Sequence, residues 1–282
     1  MNIVGHMIVR NEIDVIEETI AEAFRWIDTL VVLDGMSTDG TTELLRGLVS
    51  EYENVGKLLD VHVEADPDEE FKIDCRNRLL ELTSPYEPDW VFSVDADEIY
   101  HVDLERGVTS PYAAIAVAHK QGANVVRSYV PQFWLTFEDL RRGALHEDVR
   151  DSIQVRRRWY SWGHMGTFAW KWNPDHFYPT DESKRTPELQ GQTWRQWQRA
   201  GPLIPICKHY CIRTLEQGLI RAKERIERGG RLLFGKYAQN WLIDETIAGL
   251  HYLGDEGVWN VQENHSRLCQ YLAWKQPAGG PT

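Results

Sequence analysis

The first hundred residues alternate between short apolar runs and segments with helical periodicity, and this alternation constrains the fold more than any other feature. Runs typical of buried strands occupy residues 3–9, 29–33, 57–63 and 90–94. Between them, apolar residues spaced three or four positions apart predict helices over residues 13–27, 41–49 and 69–82. Strands that alternate with helices through short connections predict an α/β fold, with an open, mostly parallel, twisted sheet flanked by helices.

Polar residues directly follow three of these predicted strands. The turn Arg10-Asn11-Glu12 follows the first strand, Asp34 follows the second, and Asp95 follows the fourth. In parallel sheets, ligands bind in the crevice beyond the carboxyl ends of the strands. The three strand ends are therefore predicted to converge on one binding crevice, with Asn11 capping the helix that follows the first strand.

Two aspartates, Asp95 and Asp97, lie one residue apart at the end of the fourth strand. Like charges this close repel each other, and a multivalent cation would relieve that repulsion. Carboxylate oxygens suit Mg²⁺ or Mn²⁺, which use one or two protein carboxylates and fill their shells with phosphate oxygens and water. The stretch thus predicts a metal that holds a substrate phosphate, and the alternative is a solvated acidic turn. Glu98 is expected to tune or cap this turn rather than to bind a ligand.

The net charge and the absence of several sequence motifs argue against several classes of function. A formal net charge of -12 argues against a general nucleic-acid binder and against a protein held on anionic membranes, because both need a basic surface. The sequence has no Gly-x-Gly-x-x-Gly after its first strand and no Gly-x-x-x-x-Gly-Lys-[Ser/Thr], so it predicts neither a dinucleotide site nor a P-loop. It also lacks the Gly-x-Ser-x-Gly elbow of many hydrolases.

The sequence favours a cytoplasmic protein. Its first residues lack the basic region and apolar core of a signal peptide, and no apolar run approaches the length of a membrane span. Four scattered cysteines suit a reducing compartment. Cys207 and Cys211 flank His209, but a second Cys/His pair with matching spacing is missing, so structural zinc is not expected.

Four blocks of sequence carry a family resemblance. They are MIVRNE at 7–12, VVLDGMSTDGT at 31–41, RNR at 76–78 and FSVDADE at 92–98. In this order and spacing they resemble the signature of family 2 glycosyltransferases, which have the GT-A fold. The resemblance covers about the first hundred residues, and it implies a GT-A-like sheet that binds a nucleotide-sugar.

The resemblance also implies roles for individual residues. Asp34 would contact the base or ribose of the donor, and Arg76 would lie close to the base or the donor phosphates. Asp95 would face the ribose or sugar and belong to the metal site, while Asp97 would bind the metal that bridges the diphosphate. Since Asp34-Gly35 replaces the usual Asp-Asp pair, the base stays open, with UDP and GDP as the first expectations.

Several of these residues have an ordinary structural interpretation as well. Arg10 and Glu12 belong to the implied donor site, but Glu12 could equally supply negative charge to the first turn of its helix. Asp39 is expected to cap the helix that begins near Thr41. Arg76 could be a solvated helix residue, although its block favours a role in the site.

The second half of the chain supplies fewer signals. His209 follows an apolar, strand-like run, and the resemblance implies that a late histidine completes the metal shell, with an ordinary hydrogen-bonded histidine as the alternative. Glu188 is the first candidate for the general base, and Glu147 and Asp148 are the second. On a strand, the arginine triplet at 156–158 would alternate between faces, so that one or two arginines could reach diphosphate oxygens, but surface exposure is expected for each of them.

These expectations combine into one functional hypothesis. Residues 1–210 would form a GT-A-like domain that binds a nucleotide-sugar and its acceptor, and residues 211–282 a helical extension packed on it. The protein would use Mn²⁺ or Mg²⁺ to transfer a sugar from a nucleoside-diphosphate sugar to a hydroxyl of a carbohydrate or glycan, with inversion. It would bind no nucleic acid and have no membrane span.

Two alternatives stay open. A sugar nucleotidyltransferase would normally carry a Gly-rich loop with Lys or Arg after the first strand, and this chain lacks such a loop. A catalytically inactive, carbohydrate-binding GT-A-like protein is the other alternative, and the presence of Asp34, Asp95 and Asp97 together argues against it.

Overall fold

Four parallel strands form the part of the sheet that the sequence predicts. The computed structural model describes residues 1–64, 71–105, 107–135, 139, 152–157, 159–178, 187–189, 192, 198–210, 213–214 and 251–252. The four strands are β1 (Ile3–Val9), β2 (Thr29–Asp34), β3 (Leu58–Val63) and β4 (Trp90–Ser93). They lie in the order β3-β2-β1-β4. Val9 pairs with Asp34 and His6 with Ser93, so the carboxyl ends of β1, β2 and β4 share one edge, as predicted.

Three helices cover both faces of these strands. They are α1 (Ile16–Ala23), α2 (Thr41–Glu53) and α3 (Phe71–Thr83). Because side chains alternate along a strand, Met7 of β1 packs with Ile16 and Leu45 on one face, while Val4 packs with Leu79 of α3 on the other. The predicted α/β class, with an open sheet flanked by helices, is confirmed.

The second half of the chain extends the sheet with antiparallel pairs. Its elements are β5 (Glu98–His101), α4 (Pro111–Lys120), β6 (Val125–Trp134), α5 (Ile153–Arg156), β7 (Trp159–Lys171), β8 (His176–Phe177), β9 (Glu188–Leu189), β10 (Ile206–Tyr210) and β11 (His251–Tyr252). The order continues from β4 through β7, β6 and β10 to β5. Strand β7 is antiparallel to both β4 and β6, and β10 is parallel to β6 and antiparallel to β5. The sheet is thus parallel in its first half and mixed in its second.

The sheet curls strongly between β4 and β5. These strands are four places apart in the sheet, about 19 Å if the sheet were flat. Only residues 94–97 connect them, and this link contains a turn in which Glu98 N–H donates to Asp95 O at 3.0 Å. The ring centroids of Phe92 on β4 and Tyr100 on β5 lie 5.4 Å apart, and Phe168 of β7 contacts both. The strands therefore close around an aromatic core, with the link at its mouth.

The predicted division at residue 210 stays a prediction. Most of the expected helical extension, including a helix expected over residues 215–228, lies outside the described residues. Of residues 211–282, the structure describes 213–214 and 251–252. Arg213 is fully buried, and His251 pairs with Tyr160 of β7. Among the described helices, none is long and apolar enough to cross a membrane.

A glycine on β7 is required by close backbone packing. The register between β6 and β7 shifts between Val130 and Gln132. At this irregularity, a Cβ added to Gly163 would lie 1.4 Å from the carbonyl oxygen of Val130. By contrast, a Cβ added to Gly166 would meet Val130 Cγ2 at 3.6 Å, which is an ordinary contact.

We expect Gly163→Ala to lower the free energy of unfolding by more than about 2 kcal/mol, because backbone atoms must move to admit the methyl group. Gly166→Ala is the matched control on the same strand, and it should change that free energy by no more than about 0.5 kcal/mol. Urea denaturation of the two variants and the wild type measures both values. Equal effects of the two substitutions would contradict this account of the irregularity.

Candidate functional site

Side-chain hydrogen bonds join the loop after β1 to the loop after β2. The backbone N–H of Asn11 donates to Ser37 Oγ at 2.9 Å, and Asn11 Oδ1 accepts from Thr38 N at 2.8 Å. Asn11 adopts φ +55°, a left-handed conformation that asparagine tolerates better than most residues. The prediction that Asn11 caps α1 is wrong: the helix begins at Ile16, and the Asn11 amide holds the neighbouring loop instead.

Asp34 and Asp39 stabilise the loop after β2, because their carboxylates accept hydrogen bonds from residues of the same loop and of the start of α2. Asp34 is fully buried, and its carboxylate accepts from Ser37 N at 3.1 Å, from Ser37 Oγ at 2.6 Å and from Thr42 Oγ1. Asp39 Oδ1 accepts from the backbone N–H of Thr41, the first residue of α2, at 3.0 Å, whereas the N-cap position of the helix is Gly40 and not Asp39. The Asp34 carboxylate thus anchors the loop, and its predicted contact with a base or ribose stays a prediction.

A buried arginine joins three acidic residues at the edge of the sheet. Arg213 is fully buried, and its Nη2 donates to Glu12 Oε2 and, at 2.8 Å, to Asp14 Oδ1. Its Nη1 lies 3.5 Å from Asp97 Oδ2. Burial alone would lower the pKa of Arg213, but Glu12, Asp14 and Asp97 outweigh it and raise that pKa above its ordinary value. The arginine therefore stays charged and fixes the Asp97 carboxylate relative to the loop after β1.

A second buried arginine supports this ion-pair cluster. Arg157 is 1% exposed, and its Nε donates to the carbonyl oxygen of Arg213 at 2.7 Å. Arg156, which ends α5, is 6% exposed. The expectation of surface exposure is wrong for these two arginines, because backbone carbonyls in the interior accept their hydrogen bonds. Arg158 lies outside the described residues.

Asp97 and His209 come together from distant parts of the chain. Asp97 Oδ1 lies 3.3 Å from His209 Nε2, and the two side chains are 11% and 16% exposed. His209 lies on β10, opposite Glu98 in the register with β5. A carboxylate oxygen and an imidazole nitrogen at this spacing fit the donor preferences of Mn²⁺. Within the described residues, no group of three or more His, Cys, Asp and Glu could hold a metal, so a cation here would need ligands from substrate and water.

A pocket opens at the mouth of the curled strands, beside the link between β4 and β5. Six polar residues line it: Arg76, Ser93, Asp95, Glu98, Ser128 and Thr167. Val130, Gly166 and Phe168 complete the lining. The pocket encloses a cavity of about 20 Å³, which is room for about one water molecule, and it is otherwise open to solvent. Because β5 curls back towards β4, it places Glu98 in the same wall as Asp95, although the sequence suggested no ligand role for Glu98.

Arg76 is held at this pocket by contacts with the segment that follows β7. Its guanidinium lies over the ring of Tyr178, 5.5 Å from the centroid. The next residue, Asn77, donates to Tyr178 O at 3.1 Å and accepts from Tyr178 N at 2.7 Å. Arg76 is half-buried. Arg76 is therefore packed against Tyr178 and is not a fully solvated helix residue, and its predicted position close to the base or the donor phosphates stays a prediction.

A buried histidine on β1, His6, is the register partner of Ser93, which lines the pocket. His6 is 3% exposed, and its ring packs edge-on against Trp170 at 5.2 Å. Within the described part of the chain, its Nδ1 has no hydrogen-bond partner. Burial lowers the pKa of His6 to about 3, with a further lowering from the charge of Arg76 and an opposing effect from Asp95. His6 is therefore neutral near pH 7.

Two other predicted site residues that the structure describes, Arg10 and Glu188, do not line the pocket. Arg10 is exposed at the end of β1. Glu188 lies on β9, paired with Phe177 of β8, and does not belong to the pocket lining. Glu147 and Asp148 lie outside the described residues. The choice of general base is thus still open.

Comparisons with known proteins give no family. No family model matches the chain, and no curated protein sequence does. Solved structures resemble it in part. The mannosyltransferase PcManGT from Pyrobaculum calidifontis, in complex with GDP-Man and Mn²⁺, aligns with a TM-score of 0.44 at 16% identity, over 82% of this chain and 65% of that one. GalNAc-T7, with UDP, GalNAc and Mn²⁺, aligns with a TM-score of 0.43 at 11% identity, over 76% and 44%. The chain thus spans less than two thirds of either protein.

We expect Arg213→Met to lower the free energy of unfolding by about 3–5 kcal/mol, because it leaves buried carboxylates without their cation. Arg25→Met is the matched control. Arg25 has a side chain that is 59% exposed, and it pairs with Glu22 on the surface of α1, so its loss should change stability by no more than about 0.5 kcal/mol. Chemical denaturation measures both, and equal losses would show that the Arg213 cluster contributes no more than a surface pair.

We also expect His6 to make the protein less stable in acid. The unfolded chain binds a proton at His6 below the ordinary histidine pKa of 6.5, whereas the folded chain does so only when the pH approaches its lowered pKa of about 3. The contribution of His6 to the free energy of unfolding should therefore decrease as the pH falls between those two pKa values, by up to about 1.4 kcal/mol per pH unit. Measuring the free energy of unfolding at pH 7 and at pH 5 tests this, because that free energy should decrease less in His6→Leu than in the wild type. An unchanged pH dependence in that variant would contradict the assignment.

Proposed function

We propose that this protein is a metal-dependent glycosyltransferase that moves a sugar from a nucleoside-diphosphate sugar to an acceptor hydroxyl of a carbohydrate or glycan, with inversion. The observation that carries the proposal is the distance of 3.3 Å between Asp97 Oδ1 and His209 Nε2. The sequence resemblance implies one metal shell for these two residues, which are more than a hundred positions apart in the chain. Asp95 and Arg76, which the same hypothesis assigns to the donor, line the adjacent pocket.

Asp97 and His209 would hold Mn²⁺ or Mg²⁺, with diphosphate oxygens and water completing the coordination. In that position the charge of the bound cation would stabilise the diphosphate as it leaves the sugar. Arg213 would keep the Asp97 carboxylate oriented before the donor arrives, because the same guanidinium is held by Glu12 and Asp14 within the buried cluster. UDP and GDP are the proposed nucleotides of the donor.

The joined loops after β1 and β2 would receive the nucleoside. Their hydrogen bonds pre-organise this edge of the sheet, which lowers the entropy lost on binding. Asp34 enters the proposal as the anchor of its loop. A direct contact between the Asp34 carboxylate and a base or ribose would require that loop to open, because Asp34 is fully buried.

An inverting transfer also needs a general base that removes the proton of the acceptor hydroxyl. Glu188 is the first candidate and Glu147 or Asp148 the second, all from their position in the chain. Glu188 is half-buried on a two-residue strand. To act as the base, it would have to come within hydrogen-bond distance of an acceptor bound at the pocket mouth.

A thermal-shift experiment with UDP-sugars and GDP-sugars, each with and without Mn²⁺, tests the proposal. A ligand that binds only the folded state raises the melting temperature with its occupancy. We expect a shift that requires Mn²⁺ and is lost in Asp97→Asn, because the amide cannot supply the charge of the carboxylate.

Asp28→Asn is the control for this experiment. The Asp28 side chain is 88% exposed and forms a surface ion pair with Lys57 at 2.5 Å, so its removal should leave the ligand-induced shift unchanged. No shift with any donor, or the same metal-dependent shift in Asp97→Asn, would overturn the proposed metal site.

A further inference from the structure

Strand β3 lies at one end of the sheet, and no strand of the described part of the chain pairs with its outer edge. It pairs with β2 along six consecutive residues without a shift of register. Natural proteins commonly protect such an edge with proline, lysine, a bulge or a very short strand. The sequence of β3, LLDVHV, contains neither proline nor lysine, so its backbone can accept another strand.

The backbone hydrogen bonds between β3 and β2 show which groups of β3 point outward. The N–H groups of Leu58 and Glu64 donate to carbonyl oxygens on the β2 side, at 2.9 and 3.1 Å. Alternate residues of a strand direct their backbone groups to opposite sides, so the even-numbered residues of β3 face β2. The residues whose N–H and C=O groups point outward are Leu59, Val61 and Val63.

A second copy of β3 can complete this edge in the antiparallel orientation. A two-fold axis at Val61 would place Val61 opposite its own copy and Leu59 opposite Val63, so that the outward N–H and C=O groups of all three residues form hydrogen bonds. The side chains of these residues lie on one face, where Leu59 and Val61 pack with the core. Val63 is 36% exposed, and the contact across the two strands would cover part of it.

The same alignment brings opposite charges together on the other face of the strand. Asp60 would lie opposite His62 of the second copy, at a position where the Cβ atoms of facing residues are about 4.5–5.5 Å apart. Within one chain, Asp60 Oδ2 lies 2.9 Å from His62 Nε2 and accepts from the Tyr86 hydroxyl at 2.7 Å. Both contacts use Oδ2, so Oδ1 can accept a hydrogen bond from the second copy. The side chains of Asp60 and His62 are 29% and 30% exposed, so another chain can reach them.

The charges also select this alignment over its two neighbours. An axis at Asp60 would place the two Asp60 carboxylates opposite each other. An axis at His62 would place Asp60 opposite Glu64 of the second copy. Like charges directly opposite each other destabilise a strand pair, whereas opposite charges stabilise it. The axis at Val61 is therefore the alignment in which the facing charges attract.

We propose that two copies of this chain form a symmetric dimer by antiparallel pairing of their β3 strands, with the two-fold axis at Val61. The pairing occupies the outer edge of β3 in both copies, so the assembly closes at two. Since a contact through one strand is small, the dimer should dissociate on dilution. No residue of β3 lines the pocket beside the link between β4 and β5, and the dimer does not depend on the proposed function.

Sedimentation velocity of the full chain, over concentrations from about 2 to about 200 μM, measures the dissociation constant. The formal net charge of -12 on each copy opposes association, so the experiment is done in about 0.15 M salt, where the Debye length is about 8 Å. We expect the wild type to change from monomer to dimer within this range. Far-UV circular dichroism and the melting temperature show whether each variant is folded.

Val61→Pro tests the role of the strand edge. Proline at this position removes an N–H that points outward and leaves the hydrogen bonds to β2 in place, as in natural edge strands. We expect it to raise the dissociation constant by about tenfold or more, because it removes a central hydrogen bond of each copy and its ring enters the interface. Leu104→Ser is the control. Leu104 is 74% exposed and follows β5, at the other end of the strand order, so its loss should change the dissociation constant by no more than about twofold.

A charge exchange tests the alignment. His62→Asp places two carboxylates opposite each other at both ends of the interface, and we expect it to raise the dissociation constant by about fivefold or more. Asp60→Lys combined with His62→Asp restores opposite charges across the two strands. The double variant should therefore bind itself within about twofold of the wild type. This pair of variants decides the question even if Val61→Pro does not fold.

Three outcomes would overturn the inference. A wild type that stays monomeric over the whole range shows that no second copy occupies this edge. A folded Val61→Pro that dimerises as the wild type does shows that the dimer forms through another surface. If the double variant dimerises no better than His62→Asp alone, the two strands are not aligned about Val61.

Discussion

The short link between β4 and β5 is the constraint on which the rest of the site depends. Residues 94–97 must connect strands that lie four places apart in the sheet, and they can do so only because the strands between them curl. The contact between Phe92 and Tyr100 at 5.4 Å stabilises this closure from the inside, by burying aromatic surface. Because of this closure, Asp95, Asp97 and Glu98 lie at one opening of the curled sheet, at the edge of the apolar core.

The buried cluster around Arg213 compensates for the concentration of acidic residues at that opening. Removing ions from water is costly, and the attraction of Arg213 to Glu12, Asp14 and Asp97 offsets the cost only with close geometry. Such a cluster contributes little net stability compared with apolar packing, but it fixes orientation. Here it fixes the carboxylate of Asp97, next to His209, relative to the loop after β1.

The parts of the fold that local patterns encode could be predicted from the sequence. The bounds of β1 and the end of β2 at Asp34 follow from apolar runs that stop at polar residues. Arg213 could not be found in this way, because its partners Glu12 and Asp14 lie about 200 positions earlier and no spacing rule connects them. The position of Glu98 in the pocket could not be predicted for a similar reason. It depends on antiparallel pairings of β5, β6 and β7, and no sequence motif indicates these pairings.

The position of β7 in the sheet has a consequence for the order of folding. Strands β1 to β4 are complete once Ser93 has been synthesised, but the residues that pair with the outer edge of β4, among those the structure describes, are 169–171 of β7. At about 5–20 residues per second, a ribosome needs several seconds to make the chain in between. During that time, β4 presents Trp90 and Phe92 on an unpaired edge, which can pair with another nascent chain. The nascent chain is therefore prone to aggregation until β7 has been synthesised and pairs with β4.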